Sequence, residues 1–175
     1  LTRRPTQARS HPRTQYVTWT PGSDRDLATV RAAVDGADAV VHLAGESMAA
    51  RRWSPAQKER IRASRIETTR ALADAIRAAT KPPALFVSGS AVGYYGPCGD
   101  ETVTEATPPG ADFVARLCID WEGEALAAAS EHTRVVVLRT GLVVEPDGGA
   151  LQRMLLPFRL GVGGRLGSGR QYWSW

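Results

Sequence analysis

Among its 175 residues the sequence has no asparagine, two cysteines (Cys98 and Cys118) and two lysines (Lys58 and Lys81). The cysteines make no metal-ligand spacing and fall on different predicted elements, so both read as ordinary free thiols of a reducing compartment. No apolar run approaches the roughly 18 residues that a membrane span requires, and no membrane partner is expected. Arg3, Arg4, Arg9 and Arg13 have no apolar stretch behind them. A secretory leader would need one, so a cytoplasmic location is expected. With lysine scarce, twenty of the 22 basic residues are arginine, and they alternate with Asp and Glu along predicted helices. The net charge of +4 is therefore spread over solvated faces rather than gathered into a basic footprint, and nucleic acid is not an expected partner.

What is present reads as one globular α/β domain, with 43% hydrophobic residues in a chain long enough to bury a core. Residues 15–19 are a short β-rich run. Leu27, Val30 and Val34 recur at helical spacing, with Ser23 or Asp24 as cap and Asp35-Gly36 as stop. Residues 39–44 form a near-continuous apolar run, the mark of a strand buried on both faces of a parallel sheet. Ser54-Pro55 opens a long helix to about residue 79, ended by Lys81-Pro82-Pro83. A strand over 84–88, a Gly/Pro/Thr-rich loop over 90–110, a helix over 111–130 and a strand over 134–140 follow. This alternation predicts a doubly wound, Rossmann-like parallel sheet with helices on both faces.

In such a sheet ligands bind beyond the carboxyl ends of the strands. The expected site therefore draws on Arg3-Arg4, Gly45-Glu46, Ser88-Gly89-Ser90 and Thr140-Gly141. The opening residues read as the tail of a strand whose first strand, Gly-rich loop and helix are not in the sequence, and Trp175 falls inside an aromatic run that resembles a new strand. The expected organisation is a truncated dinucleotide-binding domain over 1–160 and the start of a substrate-facing region over 161–175. Gly161, Gly164 and Gly167 match a Gly-x-x-Gly-x-x-Gly pattern. They follow a Pro157-containing segment rather than a strand, so a substrate-facing loop fits them better than a phosphate cradle. A serine hydrolase is disfavoured because Ser90 lacks the Gly-x-Ser-x-Gly spacing of a nucleophile elbow. His42, inside a strand, reads as a core histidine.

Six ordered motifs carry a closer likeness: Leu-Ala-Gly-Glu (43–46), Arg-Arg-Trp (51–53), Gly-Tyr-Tyr-Gly (93–96), Cys-x-x-Trp-Glu (118–122), Leu-Arg-Thr-Gly (138–141) and Gly-Ser-Gly-Arg-Gln-Tyr (167–172). Together they resemble an atypical subgroup of the extended short-chain dehydrogenase/reductases, the NAD-dependent epimerase/dehydratase family proteins of the YfcH type. The resemblance implies an NAD(P)-binding Rossmann domain. It also implies epimerase/dehydratase-like or reductase-like chemistry on an unassigned small polar substrate, sugar-related ones included. In that superfamily a Tyr and a Lys four residues later do the acid/base work, helped by a Ser and an Asn. Here the matching positions hold Phe113, Leu117, Ser90 and Arg65, so the usual pair is missing.

The candidate catalytic residues are Ser90, Tyr94 and Arg116, with Tyr95 and Glu46 as further options. The candidate cofactor-binding residues are Arg3, Arg4, Leu43, Ala44, Gly45, Glu46, Ser88, Gly89, Gly141 and Leu142, and no metal is expected. Arg3 and Arg4 stand where an NAD enzyme carries an acidic residue for the ribose 2′-hydroxyl. NADP(H) is therefore expected in preference to NAD(H). Ser90 either orients a substrate oxygen or only bonds to local backbone. Two readings stay open: an enzyme with a substituted acid/base, or a non-catalytic NADP(H)-binding sensor or interaction protein.

Overall fold

The computed structural model describes residues 1, 12–20, 23–49, 51–145, 149–165 and 167–175. Arg3 and Arg4 lie outside the described residues. Two side-chain caps start the longer central helices. Ser54 Oγ accepts from the Gln57 amide (3.2 Å) and Asp112 Oδ1 from the Ala115 amide (2.8 Å), each relieving an orphan N–H of the first turn. In chain order the elements are α1 (Asp24–Val34), β1 (Ala39–His42), α2 (Pro55–Arg77), β2 (Leu85–Ala91), a 3-10 turn over Val92–Tyr95, α3 (Phe113–Leu126), β3 (Arg134–Thr140) and α4 (Gly149–Arg159).

The sheet is parallel throughout, in the order β1-β2-β3. Phe86 of β2 is its anchor. It packs in one cluster with Val30 and Val34 of α1, Leu72, Ala73 and Ile76 of α2, and Ala125 of α3. Full burial of such side chains stabilises by about 1.5–3 kcal/mol each. A second cluster of Ile61, Ile66, Leu117 and Trp121 closes the α2–α3 seam nearer the carboxyl end of the strands. These helices share one hydrophobic layer against the sheet. Val41 is 62% exposed and Leu138 43% exposed, so the sheet is not covered throughout by the described elements.

Some expected boundaries move. β1 stops at His42 rather than residue 44, and β2 runs on to Ala91. Residues 15–19 hold only an isolated bridge at Thr18, and residues 171–175 form no strand. Helix α4 was not anticipated. Pro157 lies inside its last turn, where the missing amide hydrogen costs one bond rather than the helix. Beside β1 runs an open groove of about 1330 Å³, with Trp19, Val40, His42 and Leu72 among its walls, that reaches Gly45 and Glu46 beyond the strand end.

Candidate functional site

Register sets the geometry of the carboxyl edge. His42 is level with Ser88 and Val137, and Ala91 is level with Thr140. β1 therefore ends three residues short of β2, and the chain that leaves it crosses toward α2 at the level of Gly89 to Ala91. Leu43 (66% exposed), Ala44 and Gly45 present open backbone there, and Glu46 is half-buried. Ser88, Gly89 and Ser90 are buried, whereas Gly141, Leu142 and Tyr94 are half-buried. Leu142 donates its amide to the Ser174 carbonyl (2.7 Å). The structure brings these residues to one edge of the sheet. It does not bring Arg116 to them. Ala115, Cys118, Glu122 and Ala125 mark the buried face of α3, and Arg116 is exposed on the opposite face.

Ser90 is 6% exposed, and its hydroxyl lies 2.6 Å from Glu122 Oε1. Glu122 in turn receives Nε and Nη2 of Arg139 (2.9 and 2.8 Å), with side-chain exposures of 20% for Arg139 and 9% for Glu122. A carboxylate gripped by a guanidinium fork is ionised and can only accept. Ser90 is therefore the donor in this bond, and its hydroxyl also meets the Cys118 side chain. The hydroxyl thus bonds the Glu122 carboxylate rather than local backbone. Arg139 Nη1 donates to the Tyr95 hydroxyl (2.9 Å), and the guanidinium lies 3.5 Å from the Tyr94 ring centre. The Glu122 bonds push the Arg139 pKa above its ordinary value, so the cation is permanent.

A second cation sits below the β1 loop. Arg65 Nη1 donates to the carbonyls of Glu46 (3.0 Å) and Ile61 (3.2 Å), and Ser64 Oγ accepts from the Glu46 amide (2.9 Å). The loop is thus pinned to α2 through its backbone. Gly45 has a steric reason here, since a Cβ would come within 3.0 Å of Arg65 Cζ. Burial holds the Arg65 pKa below its ordinary value. His42 Nε2 lies 3.1 Å from Thr68 Oγ1, whose proton goes to the Ser64 carbonyl (2.8 Å), so the imidazole carries its hydrogen on Nε2. Burial first, and the Arg65 charge second, lower the His42 pKa to about 4, and the ring is neutral at pH 7. Cys118 bonds to the Ala91 carbonyl, and burial pushes its thiol pKa up, which removes it as a ready nucleophile.

The positions of the missing acid/base pair are filled by packing. Leu117 is buried in the α2–α3 seam. Phe113 meets the Trp53 ring edge-on at 5.7 Å and carries Lys58 Nζ over its own ring at 5.0 Å. Gly161 and Gly164 follow α4, not a strand, as expected for a loop rather than a phosphate cradle. Glu122 and Arg139 lie inside motifs the sequence offered, yet only the fold reveals that Cys-x-x-Trp-Glu and Leu-Arg-Thr-Gly meet across Ser90. Among the described residues no group of three His, Cys, Asp or Glu side chains converges on a metal site, and no helix is long and apolar enough to cross a membrane.

Comparison with known proteins agrees with this architecture. The family model described as NAD dependent epimerase/dehydratase family matches residues 1–174. "Epimerase family protein Mb2239" of Mycobacterium bovis is 48% identical over 143 residues, covering 82% of this chain and 47% of that protein. The crystal structure of human epimerase family protein SDR39U1 (isoform 2) with NADPH is 40% identical, with a TM-score of 0.76 over 85% of this chain and 52% of that one. A nucleoside-diphosphate sugar epimerase from Corynebacterium glutamicum is 36% identical, with a TM-score of 0.72 over 96% of this chain and 33% of that one. The chain spans about half the length of the curated relatives it matches.

Proposed function

The chain belongs to the NAD dependent epimerase/dehydratase family, and from that premise we propose that it contributes to an NADP(H)-dependent reductase-like or epimerase-like enzyme acting on a small polar substrate. The observation that carries this reading is the shared carboxyl edge. Leu43, Ala44, Gly45 and Glu46, Ser88 and Gly89, and Gly141 and Leu142 leave three parallel strands at one end. This is where a doubly wound sheet receives a dinucleotide. The described residues fit the nicotinamide–ribose half of that cofactor. Backbone at Leu43, Ala44 and Gly45 is exposed at the edge, and the lone pairs of Ser90 and the pinned Glu46 carbonyl are acceptors nearby. The NADPH in the related human structure supports the choice of dinucleotide. Preference for NADP(H) over NAD(H) rests on the sequence alone, where Arg3 and Arg4 stand in place of the acidic residue of an NAD enzyme.

When bound, the cofactor supplies a hydride acceptor or donor at the nicotinamide ring. The chain's own part is to position. Glu122 and Arg139 fix the Ser90 hydroxyl so that it accepts from a ligand N–H or O–H, and Tyr94 and Tyr95 are held over the same edge by Arg139. The second reading, a non-catalytic NADP(H)-binding protein, is favoured by one observation: the Ser90 proton is already given to Glu122.

The test is fluorescence titration of the purified protein with NADPH and NADH, followed by hydride exchange with a panel of carbonyl compounds and sugar nucleotides. NADPH should bind at least tenfold more tightly than NADH. Ser90→Ala should slow turnover at least tenfold while NADPH affinity moves less than twofold. Equal affinity for the two dinucleotides sinks the NADP(H) preference, and the absence of any turnover with NADPH bound selects the non-catalytic reading.

A further inference from the structure

Two of the four arginine–carboxylate pairs among the described residues are forked, and two are single contacts, Arg62 to Asp120 and Arg77 to Asp74. Arg139 gives Nε and Nη2 to Glu122, and Arg70 gives the same two nitrogens to Glu124. These two N–H bonds run parallel and match the oxygen spacing of a carboxylate. Arg65 differs. All of its hydrogen bonds leave from Nη1, toward the Glu46 and Ile61 carbonyls and the Ser64 hydroxyl. No ion pair within 4.0 Å includes it among the described residues. Its Nε and Nη2 are also absent from the buried nitrogens that lack partners, which among the described residues are Trp19 Nε1 and Gln57 Nε2. Arg65 is half-buried, and this edge of its guanidinium carries no hydrogen bond among the described residues.

No ion pair at contact distance compensates this charge among the described residues; the Glu46 carboxylate favours it through space. His42 is neutral, the Cys118 thiol is protonated, and the Trp121 ring lies 5.2 Å from Arg65 Cζ. A half-buried guanidinium with no anion in contact is costly, and an anion at its free edge would offset that cost. Its position is fixed from above and below. Gly45 leaves just enough room for it, and the Nη1 bonds stop it swinging toward solvent. It stands at the carboxyl edge, beneath the loop proposed above to face the nicotinamide end.

From this geometry we infer that Arg65 is an oxyanion receptor, and that the substrate carries a carboxylate gripped by its Nε–Nη2 fork. The inference rests on the proposed ligand site at the carboxyl edge and assigns the substrate class of that site. Ser90 and the Glu46 carbonyl then offer acceptors to hydroxyl groups of the same molecule, which suits a hydroxy- or oxo-acid better than a neutral carbonyl compound.

The experiment follows intrinsic tryptophan fluorescence, because Trp121 stacks on the receptor. The purified protein is titrated with acetate, 2-oxobutyrate, methyl acetate and inorganic phosphate, first alone and then with saturating NADPH. Saturable quenching by acetate and 2-oxobutyrate but not by methyl acetate is expected. It should weaken at least tenfold in Arg65→Gln and about threefold to tenfold in Arg65→Lys, which keeps the charge and loses the fork. Circular dichroism of both variants monitors the fold, and the lysine variant decides the matter if the glutamine variant does not fold. NADPH affinity is read separately on the parent protein. Carboxylate binding that survives Arg65→Gln overturns the inference, as does phosphate binding in preference to both carboxylates. Failure of NADPH to bind, with the carboxylate response intact, overturns the cofactor reading and leaves the receptor standing.

Discussion

Replacing Arg139 by Met keeps most of the side-chain stem and deletes the guanidinium, leaving Glu122 as a carboxylate with 9% side-chain exposure and a single donor, the Ser90 hydroxyl. Removing one member of a buried pair costs about 3–5 kcal/mol, because the remaining charge has lost both water and partner. Arg139 keeps 20% of its side chain exposed, so water can partly re-enter, and the lower end of that range applies. We expect a loss of about 3 kcal/mol, or about 8 °C in Tm for a chain of this length. Glu122→Gln is milder. An amide oxygen still accepts from Ser90, and Arg139 still bonds the Tyr95 hydroxyl and the Glu105 carbonyl, so about 1–2 kcal/mol is expected. The double variant should lose at least about 1 kcal/mol less than the sum, since neither charge is then stranded. Urea unfolding followed by far-UV circular dichroism reads all three. Arg139→Met within 1 kcal/mol of the parent, or strictly additive variants, would refute the account of Glu122 as a charge buried and held by Arg139.

The parallel sheet was legible because its signal is local. The apolar runs that became β1, β2 and β3 had no competing period, and Ser54-Pro55 could only start a helix. Burial on the second face of β1 was not legible, since periodicity says that a strand is apolar, not what covers it. The candidate edge followed from topology: a parallel sheet sends the residues after every strand to one end, so Gly45, Ser90 and Gly141 were reachable by reasoning alone. Their partners were not. Ser90 to Glu122 spans 32 positions and Arg65 to the Glu46 carbonyl 19, and no local pattern encodes which side chains meet across such distances. Arg116 shows the converse. Its charge near the expected site makes it a candidate in the sequence, but helical phase places it on the outer face of α3.

Two glycines should respond in opposite directions to alanine. At Gly110 the added Cβ would come within 2.8 Å of the Tyr95 carbonyl oxygen and 2.9 Å of Gly96 Cα, and backbone cannot move aside cheaply. A loss of about 1–3 kcal/mol in urea unfolding is expected, and an unchanged midpoint would contradict the packing of this loop. At Gly123, inside α3, nothing lies within 4 Å, so Gly123→Ala should gain about 0.4–1 kcal/mol by restricting the unfolded chain. The last expectation concerns pH and His42. Its folded pKa of about 4 lies below the ordinary 6.5, so between those values the unfolded chain binds a proton that the folded chain refuses. The contribution of His42 is therefore complete above about pH 6.5 and is lost as the pH falls toward 4. It amounts to about 3 kcal/mol at 1.36 kcal/mol per unit. Carboxylates also titrate near the lower limit, so the useful quantity is the difference from His42→Gln, whose side chain has no such proton to gain. The parent should lose stability more steeply than this variant between pH 6.5 and 4.5. Because Arg65 is the second cause of the depression, Arg65→Gln should raise the folded pKa, so that the His42 loss ends at a higher pH and is smaller. Parallel profiles for the parent and His42→Gln would mean that the imidazole is not held neutral against Thr68 and Arg65.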